Sequence, residues 1–339
     1  MTNSTPRPLI IAHRGASGYR PEHTRSAYEL AIALGADALE PDVVPTRDGV
    51  LVIRHENEIS GTTDVADHPE FAERRTTKTV DGQRLDGWFT EDFTWAELST
   101  LRARERIPKV RPGSASFNDR YELLRLTDLF ALIEGVSTAR GGPVGLVIEV
   151  KHAAYFASAG LDMATLLAGE LRASGWDRAE RPLTIESFEL EVIGELQRTG
   201  IAARYVFLLE ADGAPADQVA RFGAGARTYA DYLTEEGLTQ LEAWVDGISV
   251  DTQLLLPANA MGIALETTDL VARAKSHDLA VYTWTLRAEN AFLRRNFRDG
   301  PVKKEFGNWL AQFQLIMRTG VDGVFADQPD LALEARRTL

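Results

Sequence analysis

Cysteine is absent from this chain of 339 residues, which excludes disulfides and thiolate-held metals alike. Basic residues are in deficit: 37 Lys and Arg stand against 50 Asp and Glu, a formal net charge of −13. A surface that coats nucleic acid needs clustered excess Lys and Arg, so no nucleic-acid partner is expected and any phosphate chemistry must rely on a local cationic site. Long apolar runs are missing too. Residues 1–8 carry no apolar stretch, and the run Leu9, Ile10, Ile11, Ala12 stops at once in His13 and Arg14, a pattern of neither a signal peptide nor a membrane anchor. The expectation is a soluble, cytoplasmic protein with no membrane span. No solenoid-length repeat and no low-complexity tract is present. What is there is 44% hydrophobic content, enough for a substantial core in one large domain or two ordinary ones.

Short apolar runs alternate with helical patterns along the chain. Leu9 to Ala12 reads as a strand buried on both faces, followed by a turn-rich loop to Thr24, a helix over about 26–34, and a second strand from Leu39. The unit recurs, with strands at 145–150, 183–185, 204–209, 247–250, 280–284 and 323–326. Helices are expected near 163–173, 189–199, 267–276, around Ala291, at 308–318 and from Pro329 onward. Eight strands alternating with helices imply a (β/α)8 TIM barrel over residues 1–339, an α/β fold, more than an open doubly wound sheet. Between His55 and Leu126 the alternation breaks. Residues 56–125 are charged and carry a capping box at Thr94 to Glu97 that opens a helix to about Ala103. They read as an inserted subdomain after the second strand's hairpin, packed over the barrel mouth.

That hairpin gathers chemistry. Asp48-Gly49 between two β-branched runs signals a two-residue turn, which pairs Asp42 with His55, and strand period two puts Glu40 on the same face. Pro41 removes a ladder donor and implies a free side or a bulge. Elsewhere His13, Arg14, Glu149, Lys151, Glu186, Asp251 and Asp327 fall at strand C-terminal ends, the face where such barrels keep their active sites.

Glu40, Asp42 and Glu149 bring three carboxylates from neighbouring strands. Oxygen-only ligation suits a hard divalent cation, Ca2+ or Mg2+; the same carboxylates could instead be neutralised by Lys151 and Arg14 as ion pairs. His13 and His55 flank the cluster and are suited to divide the roles of base and acid, while Arg14 offers a fork for a phosphate. Cation, guanidinium and two imidazoles together meet the needs of phosphodiester cleavage.

The runs His13-Arg14-Gly15-Ala16, Pro21-Glu22-His23-Thr24, Glu40 and Asp42, Asp48-Gly49 then His55, Glu149 and Lys151, and Val321 through Asp327 to Pro329 resemble the glycerophosphodiester phosphodiesterase family, in order from first strand to last. Gly61 to Val65 resembles the longer, periplasmic-type bacterial members. The resemblance implies a divalent cation and hydrolysis of small glycerophosphodiesters to sn-glycerol 3-phosphate and an alcohol. It casts His13 and His55 as acid and base, and Glu40, Asp42 and Glu149 as metal ligands. Arg14, Lys151 and Glu22 are candidate substrate-binding residues. Trp284, with Tyr282 on the same strand face, is a further candidate, for stacking on glycerol or a head group. His23 stands where many members have Asn, and Glu56 where Asp is usual. A lysophospholipase D-like phosphodiesterase or lyase, and a non-catalytic phosphate-binding homologue, are the alternatives. Oligomeric state, head-group preference and the physiological metal are not written in these patterns.

Overall fold

The computed structural model describes residues 7–140 and 143–339. Among the described residues are twelve strands: β1 (Leu9–His13), β2 (Ala38–Glu40), β3 (Asp42–Pro45), β4 (Leu51–Ile53), β5 (Thr76–Val80), β6 (Gln83–Gly87), β7 (Gly145–Val150), β8 (Leu183–Ser187), β9 (Arg204–Leu209), β10 (Gly247–Asp251), β11 (Ala280–Leu286) and β12 (Gly323–Ala326). The main sheet runs β2-β1-β12-β11-β10-β9-β8-β7-β3-β4, and β7 also pairs with β2, which closes it. β2 and β3 are one stave interrupted at Pro41, and β4 pairs with β3 and, through Val52, bridges Arg125. The result is the eight-staved parallel barrel expected from the strand and helix alternation.

Period two divides the strand side chains. Ile11, Ala38, Val147, Val206, Tyr282 and Phe325 fill the barrel interior, while their neighbours Ile10, Ala12, Leu39, Leu146, Ile148 and Val324 pack outward against the helices. The first crossover shows the local logic. Thr24 is the N-cap of Arg25–Leu34, its hydroxyl accepting from the Ala27 N–H, and Gly35 ends the helix at φ 98°. The helix near Ala291 does not form. Asn290 and Ala291 donate instead to the Glu305 and Lys303 carbonyls, at 2.7 and 3.0 Å, so their backbone is committed to a loop pairing.

Residues 56–125 hold an antiparallel hairpin (β5–β6), short 3-10 turns and one-turn helices. The Thr94/Glu97 capping box is present, but its helix ends at Leu98 and not near Ala103. The Arg102 N–H is captured by Asp64 Oδ1 at 2.7 Å and Ala103 N–H by the Tyr121 carbonyl at 2.8 Å, so tertiary pairing overrides the helical signal. Phe71, Trp88, Phe93, Leu98 and Leu101 belong to the same buried cluster as the barrel's outer face. Among the described residues no helix is long and apolar enough to cross a membrane.

Candidate active site

The carboxylates meet because of strand register. β1 pairs His13 with Glu40, and β3 pairs Asp42 with Glu149 across β7. One carboxylate oxygen from each of Glu40, Asp42 and Glu149 lies within 4.8 Å of the others, and all three residues are buried. Ion pairs do form here: Lys151 Nζ is 2.7 Å from Glu149 Oε1 and Arg14 Nε is 3.3 Å from Asp42 Oδ2. His23 Nε2 also meets Asp42 Oδ2 at 2.8 Å, and the Arg14 N–H donates to Glu40 Oε2 at 2.7 Å. Yet Glu40 Oε1 and Asp42 Oδ1 stay buried with no hydrogen-bond partner. Burial, with Asp42 adjacent, pushes the Glu40 carboxyl well above its usual range, and burial likewise raises Glu149 to about 8. Three buried carboxylates, two of them with an orphaned oxygen, fit an oxygen-liking cation better than the ion pairs alone.

His13 closes β1 and its Nδ1 meets Asp327 Oδ1 at 2.6 Å; Asp327 follows β12 directly. His55 Nδ1 meets Glu56 Oε1 at 2.5 Å, and its Nε2 is 3.3 Å from Lys151 Nζ. A carboxylate on Nδ1 sets the tautomer by making that nitrogen the donor, so in both rings Nε2 is the acceptor, that of His55 facing the Lys151 ammonium. Burial first, then the nearby cations, lowers His13 to about 4 and His55 to about 3, so both rings are neutral at pH 7.

The hairpin register differs from the expectation. β3 and β4 pair Val43 with Ile53, Val44 with Val52 and Pro45 with Leu51, and Gly49 sits at φ 75° in a three-residue loop closed by Thr46 and Val50. That is the turn followed by a left-handed residue, not the two-residue turn. Asp42 therefore faces Arg54, whose N–H donates to the Asp42 carbonyl at 3.1 Å. His55 still reaches the mouth, because the ladder ends at Ile53 and the chain turns before it.

His13, Arg14, Glu40, His55, Glu149, Lys151 and Trp284 line one cavity of about 1080 Å³. Glu22 does not line it. Its carboxylate takes Arg14 at 3.2 Å and Arg106 at 2.6 and 2.9 Å, so it braces Arg14 from behind. Trp284 packs edge-on against Phe188 at 5.6 Å, with its indole N–H on the Ser249 carbonyl. Tyr282 shares its face but lies deeper, in the barrel interior, accepting from Arg204 at 2.7 Å.

Several contributors escaped the sequence reading of site roles. Asp327 was visible as a polar strand end within a recognised run, but its grip on His13 was not. His23 could be placed no closer than the loop above the first strand. Arg106 and Arg111 lie in a charged stretch with no motif, and only the fold brings them in.

A sequence profile of the glycerophosphoryl diester phosphodiesterase family matches residues 13–331. The chain belongs to this family. Glycerophosphodiester phosphodiesterase GDPD6 of Arabidopsis thaliana is 32% identical over 337 residues, covering 95% of this chain and 84% of that protein. A glycerophosphodiester phosphodiesterase of Haemophilus influenzae is 26% identical, covering 96% and 89%. Among solved structures, a putative family member from Silicibacter pomeroyi superposes with a TM-score of 0.66 at 20% identity, covering 98% and 94%. A phosphodiesterase of Oleispira antarctica, solved with its product sn-glycerol-3-phosphate, gives 0.60 at 19%, covering 97% and 96%. These matches cover 95–98% of the chain.

Proposed function

We propose that this family member hydrolyses small glycerophosphodiesters to sn-glycerol 3-phosphate and an alcohol, using His13 and His55 as the proton-transfer pair. One observation carries the reading: two imidazoles, each with Nδ1 taken by a carboxylate, line the same cavity as Glu40 and Glu149, which cluster with Asp42, and one oxygen each of Glu40 and Asp42 is buried without a partner. Glu40, Asp42 and Glu149 would hold a divalent cation, Ca2+ or Mg2+, which when bound would offset the charge that develops on the phosphate. Arg14, braced by Glu22, orients a phosphate oxygen through its guanidinium. One imidazole takes the proton of the attacking hydroxyl at Nε2; the other acts as acid in its imidazolium form, having first taken a proton from solvent at Nε2, and gives that proton to the departing alkoxide oxygen. The attacking group is either water or the glycerol hydroxyl beside the phosphate; in the second case a cyclic phosphate forms first and water opens it. Detection or exclusion of that cyclic species by 31P NMR chooses between them. The metal-dependent enzyme releases glycerol 3-phosphate from glycerophosphocholine, stops in EDTA, and recovers with Ca2+ or Mg2+. His13→Ala and His55→Ala fold but do not turn over. Normal turnover by either variant overturns the assignment.

A second reading draws on the cavity beyond the carboxylates, walled by Val80, Leu85, Ala154, Val219 and Ala220. Such a wall suits the acyl chain of a lysophospholipid. Faster turnover of lysophosphatidylcholine than of glycerophosphocholine would favour it.

A further inference from the structure

Arg106 and Arg111 stand on one loop of the insertion, five positions apart, and each ends on a carboxylate that holds one of the two imidazoles. Arg106 donates to both oxygens of Glu56 at 2.7 Å, and Glu56 carries His55. With its remaining hydrogens the same guanidinium spans Glu22 at 2.6 and 2.9 Å, and Glu22 braces Arg14. Arg111 donates to Asp327 Oδ2 at 2.6 Å, while Asp327 Oδ1 carries His13; its Nε goes to Glu289 at 2.6 Å and it also reaches the Ser17 carbonyl. We propose that Arg106 and Arg111 are positioning residues through which the insertion fixes both imidazoles of the barrel site. This rests on the reading of His13 and His55 as the proton-transfer pair.

The loop is built to present them. Glu105 accepts from the Ile107 N–H at 2.9 Å and from the Ser114 hydroxyl at 2.5 Å, and its own N–H donates to Asn118 at 2.8 Å. The Arg111 N–H returns to the Ile107 carbonyl, which turns the two guanidinium groups toward different staves. A planar fork that spans two carboxylates fixes their separation as well as their charge, which an ammonium cannot do. The two arginines are not equivalent. Asp327 keeps a second cation, Arg287 at 2.7 Å, whereas Glu56 has no other among the described residues within ion-pair reach. Loss of Arg106 thus leaves Glu56 free to leave His55. It also loosens Glu22 and hence the phosphate contact.

The test is steady-state release of glycerol 3-phosphate from glycerophosphocholine by the metal-saturated enzyme, with 15N NMR of the imidazole tautomers as a measurement that needs no turnover. In Arg106→Ala, kcat falls by about ten- to a hundredfold and KM rises, the usual scale for losing a group that orients a reacting residue. In Arg111→Ala the loss is smaller and confined to kcat, since Arg287 remains. Arg106→Lys, which keeps the charge and with it the fold, does not restore the rate. Adding Arg106→Ala to Glu56→Gln, or Arg111→Ala to Asp327→Asn, costs little kcat beyond the carboxylate change alone, while the KM effect that Arg106 exerts through Glu22 persists. In the wild type both rings show the Nδ1–H tautomer, and in Arg106→Ala the His55 signal shifts toward a tautomer mixture. Additive losses in kcat, unchanged rates, or an unchanged His55 tautomer in Arg106→Ala overturn the proposal. A wild type that releases no glycerol 3-phosphate defeats the activity reading instead, and the NMR comparison still decides the role of the arginines.

Discussion

The buried pairing of His13 with Asp327 concentrates the site's chemistry in one hydrogen bond of 2.6 Å. Asp327→Asn keeps the shape but offers His13 Nδ1 an amide in place of a carboxylate. kcat is therefore expected to fall by at least about a hundredfold, with a lower melting temperature as Arg111 and Arg287 lose their anionic partner, read by kinetics beside a thermal melt. A fall in stability with the rate intact would give Asp327 a purely structural role. The raised carboxyls give a second expectation. Burial holds a proton on Glu149 up to about pH 8, and Glu40 is pushed the same way, so the metal-free site keeps protons that a cation must displace. Apparent affinity for Ca2+ or Mg2+ should rise from pH 6 to pH 8, with net proton release near pH 7 in calorimetry run in buffers of different ionisation enthalpy. Affinity that is flat across that range would contradict it. At this scale much was legible. His13, Arg14, Glu40, Asp42, His55, Glu149 and Lys151 could be read as one cluster, because strand ends and motif runs announce themselves. The oxygens and nitrogens that orient them, on Asp327, Glu56, Arg106 and Arg111, depend on side-chain reach across the fold and leave no period or spacing to read.

The elements carry the site by small devices. Gly15, between Arg14 at φ 59° and the first helix, sits at φ 81°, and a Cβ there would lie 2.7 Å from the Ala27 carbonyl carbon. Gly15→Ala is expected to cost roughly 2 kcal/mol or more and to displace Arg14, seen as a lower melting temperature together with a higher KM. A variant with unchanged KM would show that Arg14 does not depend on this turn. Thr24→Ala removes a cap whose hydroxyl also donates to the Pro21 carbonyl, at 2.8 Å. The expected loss is about 1 kcal/mol in denaturant unfolding, and no loss would show the cap to be idle. Elements were legible where periodicity is strong, as in the staves and the long helices. They failed where partners from elsewhere took the backbone. The Thr94 helix stopped when Asp64 and Tyr121 claimed Arg102 and Ala103, and the helix near Ala291 was lost to pairing with Lys303 and Glu305. The hairpin turn was read one residue too tight, since Asp-Gly also suits a loop in which only Gly49 needs a positive φ.

For the whole molecule, barrel closure explains why residues as distant in sequence as His13 and Asp327 share a hydrogen bond: β1 and β12 are adjacent staves. Residues 56–125 share the barrel's outer core through Phe71, Phe93 and Leu98, and Arg106 from this stretch lines the cavity. The barrel could be read from alternation alone; the insertion's architecture could not, because its strands are short, exposed and polar. Glu40, Asp42 and Glu149 are proposed to hold one divalent cation together. Crystals grown with Mn2+, an anomalous scatterer that substitutes for Mg2+ or Ca2+, measure this directly. The account predicts one strong peak within coordination distance of an oxygen from each of the three carboxylates; a peak elsewhere, or none at metal concentrations that support turnover, would contradict it.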